Sequence, residues 1–220
     1  ALMYATNVGG SWGTTTVDST GNTGQYTSIA VGTSGAAYIS YYDVSNFKLM
    51  SATNVSGSWG TTTIDSANGT RTGQYTSIEV GTSGAAYISY YDVTNTNLMY
   101  ATNVSGTWGT TTVDSTTSAD TGAYSSIAVG TSGAVHISYY DVTNGNLMYA
   151  TKAVGGSWGT STLDSVNDTG QYTSIAVGTS GAVYIAYYDN TSKDLRYATK
   201  DVGGAWGTTT VDNTNDTGLY

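Results

Sequence analysis

The chain has 220 residues, of which only 10% are charged, and it carries a formal net charge of −9 and no cysteine. Its six lysines and arginines are scattered, so no basic surface is predicted that could bind nucleic acid or an anionic membrane. The lack of cysteine excludes disulfides and thiolate catalysis, and with a single histidine the sequence predicts no zinc or copper site and no cofactor.

Internal repetition is the main feature of the chain. The phrase SIAVGTSGAAYISYYD at residues 28–43 returns almost unchanged at 77–92, 126–141 and 174–189. Five tryptophans follow the same rhythm, about 48 residues apart. Repeats of this length are the signature of architectures in which similar units stack on one another.

Each repeat contains four short segments with the composition of β-strands, since β-branched and aromatic residues alternate with Gly, Asn, Asp and Ser clusters. In chain order they are strand A (YTSIAVG), strand B (AAYISYYD), strand C (NLMYATN) and strand D (WGTTTVD). The links between them are short and rich in Gly and Asn, as in hairpin turns. No segment has apolar residues at helical spacing, so the sequence predicts an all-β fold.

Strand B has bulky side chains on both faces. Tyr38 and Tyr42 share one face, and Ile39 and Tyr41 share the other. A four-stranded antiparallel sheet that is covered on both sides and repeats every 40 to 50 residues is the blade of a β-propeller.

We therefore predict one β-propeller domain over residues 1–220, with blades of about 48 residues. Four and a half blades are counted, and a five-bladed ring with one incomplete blade is favoured. The predicted units are a half blade at 1–22, blades at about 23–71, 72–120, 121–168 and 169–216, and a stub at 217–220.

The repeat, with the consensus YTSIAVGTSGAAYISYYDVTNGNLMYAT, resembles those of bacterial extracellular β-propeller proteins, and its strand order is similar to that of WD-type blades. The turn from strand C to strand D, NVSGSW, is similar to the Asp-box turn of sialidase-type propellers in its aromatic residue but lacks the aspartate. The resemblance implies a protein outside the cell or at its surface.

An incomplete blade would leave a strand edge unpaired, and such edges are templates for pairing with another chain. Three arrangements are open. Flanking repeats of a longer protein complete the half blade, another copy completes it, or four blades close and the extra strands project. The first two arrangements predict assembly. If each copy completed the half blade of the next without closing a ring, the copies would form a filament.

The repeated residues suggest three kinds of site. The tryptophans could stack on sugar rings or anchor the contacts between blades: Trp12, Trp59, Trp108, Trp158 and Trp206. Acids at the end of strand B could cap turns or, as weaker candidates, bind calcium: Asp43, Asp92, Asp141 and Asp189. Six asparagines lie in glycosylation sequons: Asn54, Asn68, Asn103, Asn167, Asn190 and Asn215.

No catalytic constellation is visible. His136 replaces a strand B tyrosine and is expected to pack like one, and Arg71 and Arg196 lie at non-equivalent positions, so they cannot form an arginine clamp. The sequence thus predicts a structural or adhesive, non-enzymatic surface repeat that binds copies of itself or flanking repeats. The alternatives are a lectin with repeated sites between blades and, more remotely, a glycosidase.

Overall fold

The computed structural model describes residues 1–66, 71–116 and 119–219. Within these ranges the fold is all-β, and no helix is long and apolar enough to cross a membrane. The strands are β1 Leu2–Thr6, β2 Gly13–Asp18, β3 Thr23–Val31, β4 Ala37–Asp43, β5 Lys48–Thr53, β6 Gly60–Asp65, β7 Thr72–Val80, β8 Ala86–Asp92, β9 Asn97–Thr102, β10 Gly109–Asp114, β11 Thr121–Val129, β12 Val135–Asp141, β13 Asn146–Lys152, β14 Gly159–Asp164, β15 Thr169–Val177, β16 Val183–Asp189, β17 Asp194–Lys200 and β18 Trp206–Asp212.

The strands form four antiparallel sheets of four, each a simple meander, and one sheet of two. We call β1–β2 the half sheet, and β3–β6, β7–β10, β11–β14 and β15–β18 sheets I, II, III and IV. The first strands of successive sheets contact one another, β3 with β7, β7 with β11 and β11 with β15. These four strands therefore form the inner side of the stack.

The first strand of each sheet begins three residues earlier than the predicted strand A. The additional residues read Thr-Gly-Gln or Thr-Gly-Ala, and the glycine has a positive φ, as at Gly122 with +108°. A Cβ on Gly122 would lie 2.6 Å from the Cα of Leu98 in the preceding sheet. Only glycine allows the backbones to come this close, so a segment that reads as a loop is part of the strand.

The hydrophobic core lies between sheets rather than within one. Leu98 and Tyr100 of sheet II pack with Ile127, Ile137 and Tyr139 of sheet III, and the same pattern recurs at the other junctions. Every residue of β4 is buried, which confirms that strand B is covered on both faces. Burial against the neighbouring sheet is therefore the main stabilising contribution of each repeat.

The inner strands are also joined by side chains, and the motif Tyr-(Thr/Ser)-Ser-Ile supplies the groups. The amide of Ile127 donates to Ser77 Oγ of the preceding sheet at 3.2 Å, and Ser125 Oγ donates to the carbonyl of Tyr75 at 3.0 Å. Equivalent bonds link the other inner strands. Each repeat thus carries a donor for one neighbour and an acceptor for the other.

A row of tyrosines follows the inner strands. Tyr26, Tyr75, Tyr124 and Tyr172 have left-handed backbones with φ between 49° and 54°, and each lies where the pairing register shifts. Neighbouring rings in the row have centroids 4.5 to 4.8 Å apart. Left-handed φ is uncommon for a bulky residue, so the contacts along the row must offset this strain.

A second tyrosine in each sheet is fully buried and bonds to an aspartate of the preceding sheet. Tyr139 donates to Asp114 Oδ2 at 2.7 Å, and Tyr41, Tyr90 and Tyr187 make the same bond to the aspartate that ends the preceding sheet. Burial raises the pKa of Tyr139 far above its ordinary value, and the hydrogen bond and negative charge of Asp114 raise it further. The phenol therefore stays a neutral donor.

Candidate functional site

A cavity of about 250 Å³ lies between sheets II and III. On one side it is lined by Tyr87, Tyr100 and Thr102 of sheet II, and on the other by Val135 and Lys152 of sheet III. None of the described residues that line it carries a carboxylate. The cavity therefore combines aromatic rings, hydroxyl groups and one ammonium group.

Tyr100 is the centre of the aromatic part. Its ring lies edge-on to Trp158 of sheet III, with centroids 5.1 Å apart, and its centroid is 6.5 Å from that of Tyr87. Burial raises the pKa of Tyr100 to about 12, although a hydrogen bond with Thr102 acts in the opposite direction. The phenol is thus neutral at physiological pH and can both donate and accept a hydrogen bond.

Lys152 lines the cavity at the last residue of β13. In sheets I and II the equivalent residue is Asn54 or Asn103, which follows the strand and accepts the amide of Ala37 or Ala86 at 2.7 or 2.8 Å. The backbone of Lys152 pairs with Val135, as the backbone amides of the two asparagines pair with Ala37 and Ala86, but a lysine side chain has no acceptor atom for the strand B amide. The Lys152 side chain therefore does not make the asparagine bond, and its Nζ lies 5.9 Å from the centre of the Trp158 ring.

The junction between sheets III and IV repeats this arrangement with one substitution. Lys200 lies with its Nζ 6.0 Å from the ring centre of Trp206, and Trp206 packs edge-on against Tyr149 at 4.9 Å. His136 stands where sheet II has Tyr87, and its Nδ1 is 2.6 Å from the Tyr149 hydroxyl. Burial lowers the pKa of His136, and the positive charge of Lys200 lowers it further.

The predicted tryptophan sites are placed at the sheet junctions. Trp59, Trp158 and Trp206 pack on tyrosines of the preceding sheet, and Trp108 packs against the core between sheets I and II. Trp12, in the half sheet, is 74% exposed. Four of the five therefore have the anchoring environment, while a role in ligand binding stays a prediction.

The strand B aspartates make bonds within their own turns. Asp92 accepts the amides of Thr94 and Asn95 and the Asn95 side chain, and Asp43, Asp141 and Asp189 also accept amides of the turns that follow them. In the described part of the chain no three His, Asp, Glu or Cys residues group as metal ligands would. Calcium binding at these aspartates stays a prediction.

The arginines are far from forming a shared clamp. Arg196 is half-buried between Asp164 and Asp189, at 3.3 and 3.5 Å, and Arg71 lies over the ring of Phe47. Among the sequons, Asn167 and Asn215 are exposed, Asn54, Asn103 and Asn190 are half-buried, and Asn68 falls outside the described residues. Glycosylation is therefore still a prediction at all six positions.

Sequence reasoning missed the cavity residues Tyr87, Tyr100 and Lys152, and the equivalent Lys200 between sheets III and IV. The signal was present in the change from YATN to YATK at the end of strand C in the last two full repeats. Within one repeat this change does not indicate a site, because Tyr100 and Lys152 come together only where sheets II and III meet.

No protein-family model and no curated protein matches the chain. Solved structures do match it. The SapL1 lectin in complex with alpha methyl fucoside has a TM-score of 0.61 and 19% identity, over 91% of this chain and 69% of that chain. A variant of the Aleuria aurantia lectin AAL in complex with Fucα1-6GlcNAc has a TM-score of 0.59 and 16% identity, over 94% and 70%.

A third match is the Hadza microbial sialidase Hz136, with a TM-score of 0.59 and 13% identity, over 86% of this chain and 47% of that chain. The chain thus spans about half of the sialidase and about 70% of the lectins. These neighbours are β-propeller proteins, so the predicted propeller fold is supported, while the number of blades and ring closure are not shown by them.

The prediction that the chain is not an enzyme is wrong. Its basis was the lack of a unique catalytic constellation, but the same fold is carried by the sialidase, by an exo-β-1,3-galactanase from Phanerochaete chrysosporium and by the polysaccharide lyase Uly1. A repeated sequence on this fold therefore gives no ground for excluding action on glycosides.

Proposed function

We propose that the chain is a carbohydrate-binding propeller that works outside the cell or at its surface, with its sites at the junctions between sheets. The observation that supports this best is the cavity between sheets II and III. Sugar rings present apolar C–H faces and a rim of hydroxyls. In the cavity, Tyr87 and Tyr100 can stack on the apolar faces, and Thr102 and Lys152 can hydrogen-bond to the hydroxyls.

The size and make-up of the cavity fit a small polar ligand. At about 250 Å³ it lies below the range of about 300–1,000 Å³ that is usual for drug-sized ligands. It is open to solvent between two strand ends, so the terminal ring of a longer glycan could enter while the rest of the glycan stays outside. The presence of fucoside-bound lectins among the structural neighbours supports the same class of ligand.

The test is the substitution Tyr100→Ser. Ser51 occupies the equivalent position in sheet I, so the fold tolerates this side chain. For a saccharide identified on a glycan array, we expect the variant to bind about tenfold more weakly or worse, a loss equivalent to about 1.4 kcal/mol of contact. Calorimetric titration measures the affinity, and the thermal midpoint verifies folding.

The matched control is Ser51→Ala, which leaves the cavity between sheets II and III unchanged and should keep the affinity. An array without any bound glycan, or a Tyr100→Ser variant that binds as well as the parent, would argue against this function. Release of sugar from the bound glycan in the same assay would assign an enzymatic activity instead.

We also propose that the inner hairpin of a further repeat completes the half sheet, so that five sheets surround one axis. Ile29 of sheet I is 54% exposed, whereas the equivalent Ile78, Ile127 and Ile175 are 4 to 8% exposed because a preceding sheet covers them. Flanking repeats or another copy would supply this hairpin, and copies joined in this way would form an adhesive surface array.

Assembly is tested by placing charged side chains on the exposed face of β3 in sheet I. In the double variant Ile29→Lys and Val31→Lys, with parent side chains 54% and 65% exposed, we expect self-association to be lost, because lysine opposes edge pairing. Val166→Lys, at a side chain 63% exposed in the loop between β14 and β15, should leave it unchanged. Sedimentation velocity over a range of concentrations measures this. A parent chain that is only monomeric would refute completion of the half sheet by another copy.

A further inference from the structure

Lysine replaces asparagine at the end of strand C in sheets III and IV, and this makes the later junctions chemically different from the first ones. We propose that the junctions between sheets II and III and between sheets III and IV bind the carboxylate of acidic saccharides, with Lys152 and Lys200 as the charged groups. This inference rests on the proposed carbohydrate-binding function and specifies its ligand class.

The charges of the chain make these two lysines unusual. The chain has six lysines and arginines against fifteen acids, yet both side chains are directed into sheet junctions. In the described ranges only Arg196 forms ion pairs with protein carboxylates, so neither lysine is neutralised by an acid. A half-buried ammonium without an acidic partner favours an anionic ligand.

Neutral donors surround each lysine. Beside Lys152 lie the Tyr87 and Tyr100 side chains. Near Lys200 lie His136 and Tyr149, which are hydrogen-bonded to each other at 2.6 Å, so this neutral pair keeps one N–H or O–H donor for a ligand. The indole N–H of Trp158 is buried and has no hydrogen-bond partner among the described residues. A carboxylate has two oxygens that accept several hydrogen bonds, so it matches a site that is rich in donors.

The earlier junction shows what the lysine changes. Between sheets I and II, Asn103 stands at the lysine position with its Oδ1 bonded to the amide of Ala86, and Ser51 stands at the tyrosine position. This junction has neither the charge nor the second aromatic ring, so it should not prefer acidic saccharides. The chain therefore contains its own reference site.

The experiment compares oligogalacturonic acid and oligoglucuronic acid with their methyl esters, which have the same rings without the charge. We expect the parent protein to bind the acids at least about tenfold more tightly than the esters at low salt, and the preference to shrink as salt is added. The double variant Lys152→Asn and Lys200→Asn should lose the preference but still bind the esters. Calorimetric titration gives each affinity.

The charge control is the double variant Lys48→Asn and Lys193→Asn. It removes the same total charge, and asparagine already stands at the Lys48 position in Asn97 and Asn146. This variant should keep the preference for acids. Equal binding of acids and esters by the parent, or a preference that survives in Lys152→Asn and Lys200→Asn, would overturn the inference.

The outcomes separate this inference from the function on which it rests. If neutral glycans bind and acidic ones do not, only the assignment of the ligand class fails. If no saccharide of either kind binds, the carbohydrate-binding function fails as well.

Discussion

Replacing Gly122 with alanine is expected to lower the free energy of unfolding by about 3 kcal/mol or more, the size of a severe backbone effect. Two causes add together. The backbone of Gly122 has φ +108°, and the new Cβ would lie 2.6 Å from the Cα and 2.8 Å from the N of Leu98. Both are backbone atoms, so no side chain can turn aside to relieve the clash, and sheets II and III must separate. Chemical denaturation measures the change.

Gly109→Ala is the matched control. Gly109 opens β10, has no left-handed backbone, and would place its Cβ in open space with no atom within 4 Å. Alanine should therefore change stability little there. Similar losses in the two variants would mean that the close approach of sheet II to sheet III is not what makes glycine necessary at position 122.

Replacing Asp114 with alanine is expected to lower the free energy of unfolding by about 3 kcal/mol, the upper range for stranding a buried polar group. Tyr139 is 0% exposed and donates to Asp114 Oδ2, so its hydroxyl would be left without an acceptor. The Thr116 amide and hydroxyl, which donate to Asp114 Oδ1, would also lose their acceptor. Equilibrium unfolding in urea measures the effect.

A double-mutant cycle isolates the contact between sheets. Adding Tyr139→Phe to Asp114→Ala removes the stranded hydroxyl, so the double variant should lose less stability than the sum of the two single variants. Asp212 ends β18 in the same way and accepts from Thr214, but it lies at a solvent-facing strand end. Asp212→Ala should therefore have a much smaller effect. Additive losses would contradict the role assigned to the Tyr139 bond.

The internal repetition and the residue composition of the strand segments were enough to predict the strands and the burial of strand B on both faces. Tyr41 and Tyr42 lie on opposite faces of one short strand, so each face must be covered by another part of the protein. This holds whichever part of the protein covers it. The extra strand residues at Thr121 and Gly122 could not be recognised, because Thr-Gly reads as a turn when nothing shows that another backbone passes next to it.

The candidate site was harder to predict because it belongs to two repeats at once. Tyr100 and Lys152 are 52 residues apart and meet only when sheets II and III are placed side by side. The Asp114 role was missed for the same reason, since a strand-end aspartate looks like a turn cap until Tyr139 of the next sheet is brought to it. The residue pattern of one repeat indicates its strands. The functional and stabilising contacts between side chains depend on how neighbouring sheets are placed against each other.

The side-chain bonds between inner strands have a consequence for how such a chain grows. The Ile127 amide and the Ser125 hydroxyl of sheet III both donate to sheet II, at Ser77 Oγ and at the Tyr75 carbonyl, so each sheet has donors for the preceding sheet and acceptors for the following one. A freshly duplicated unit would fit its neighbours without further mutation. The number of repeats could then change by recombination, and substitutions such as asparagine to lysine would change the chemistry of individual sheet junctions.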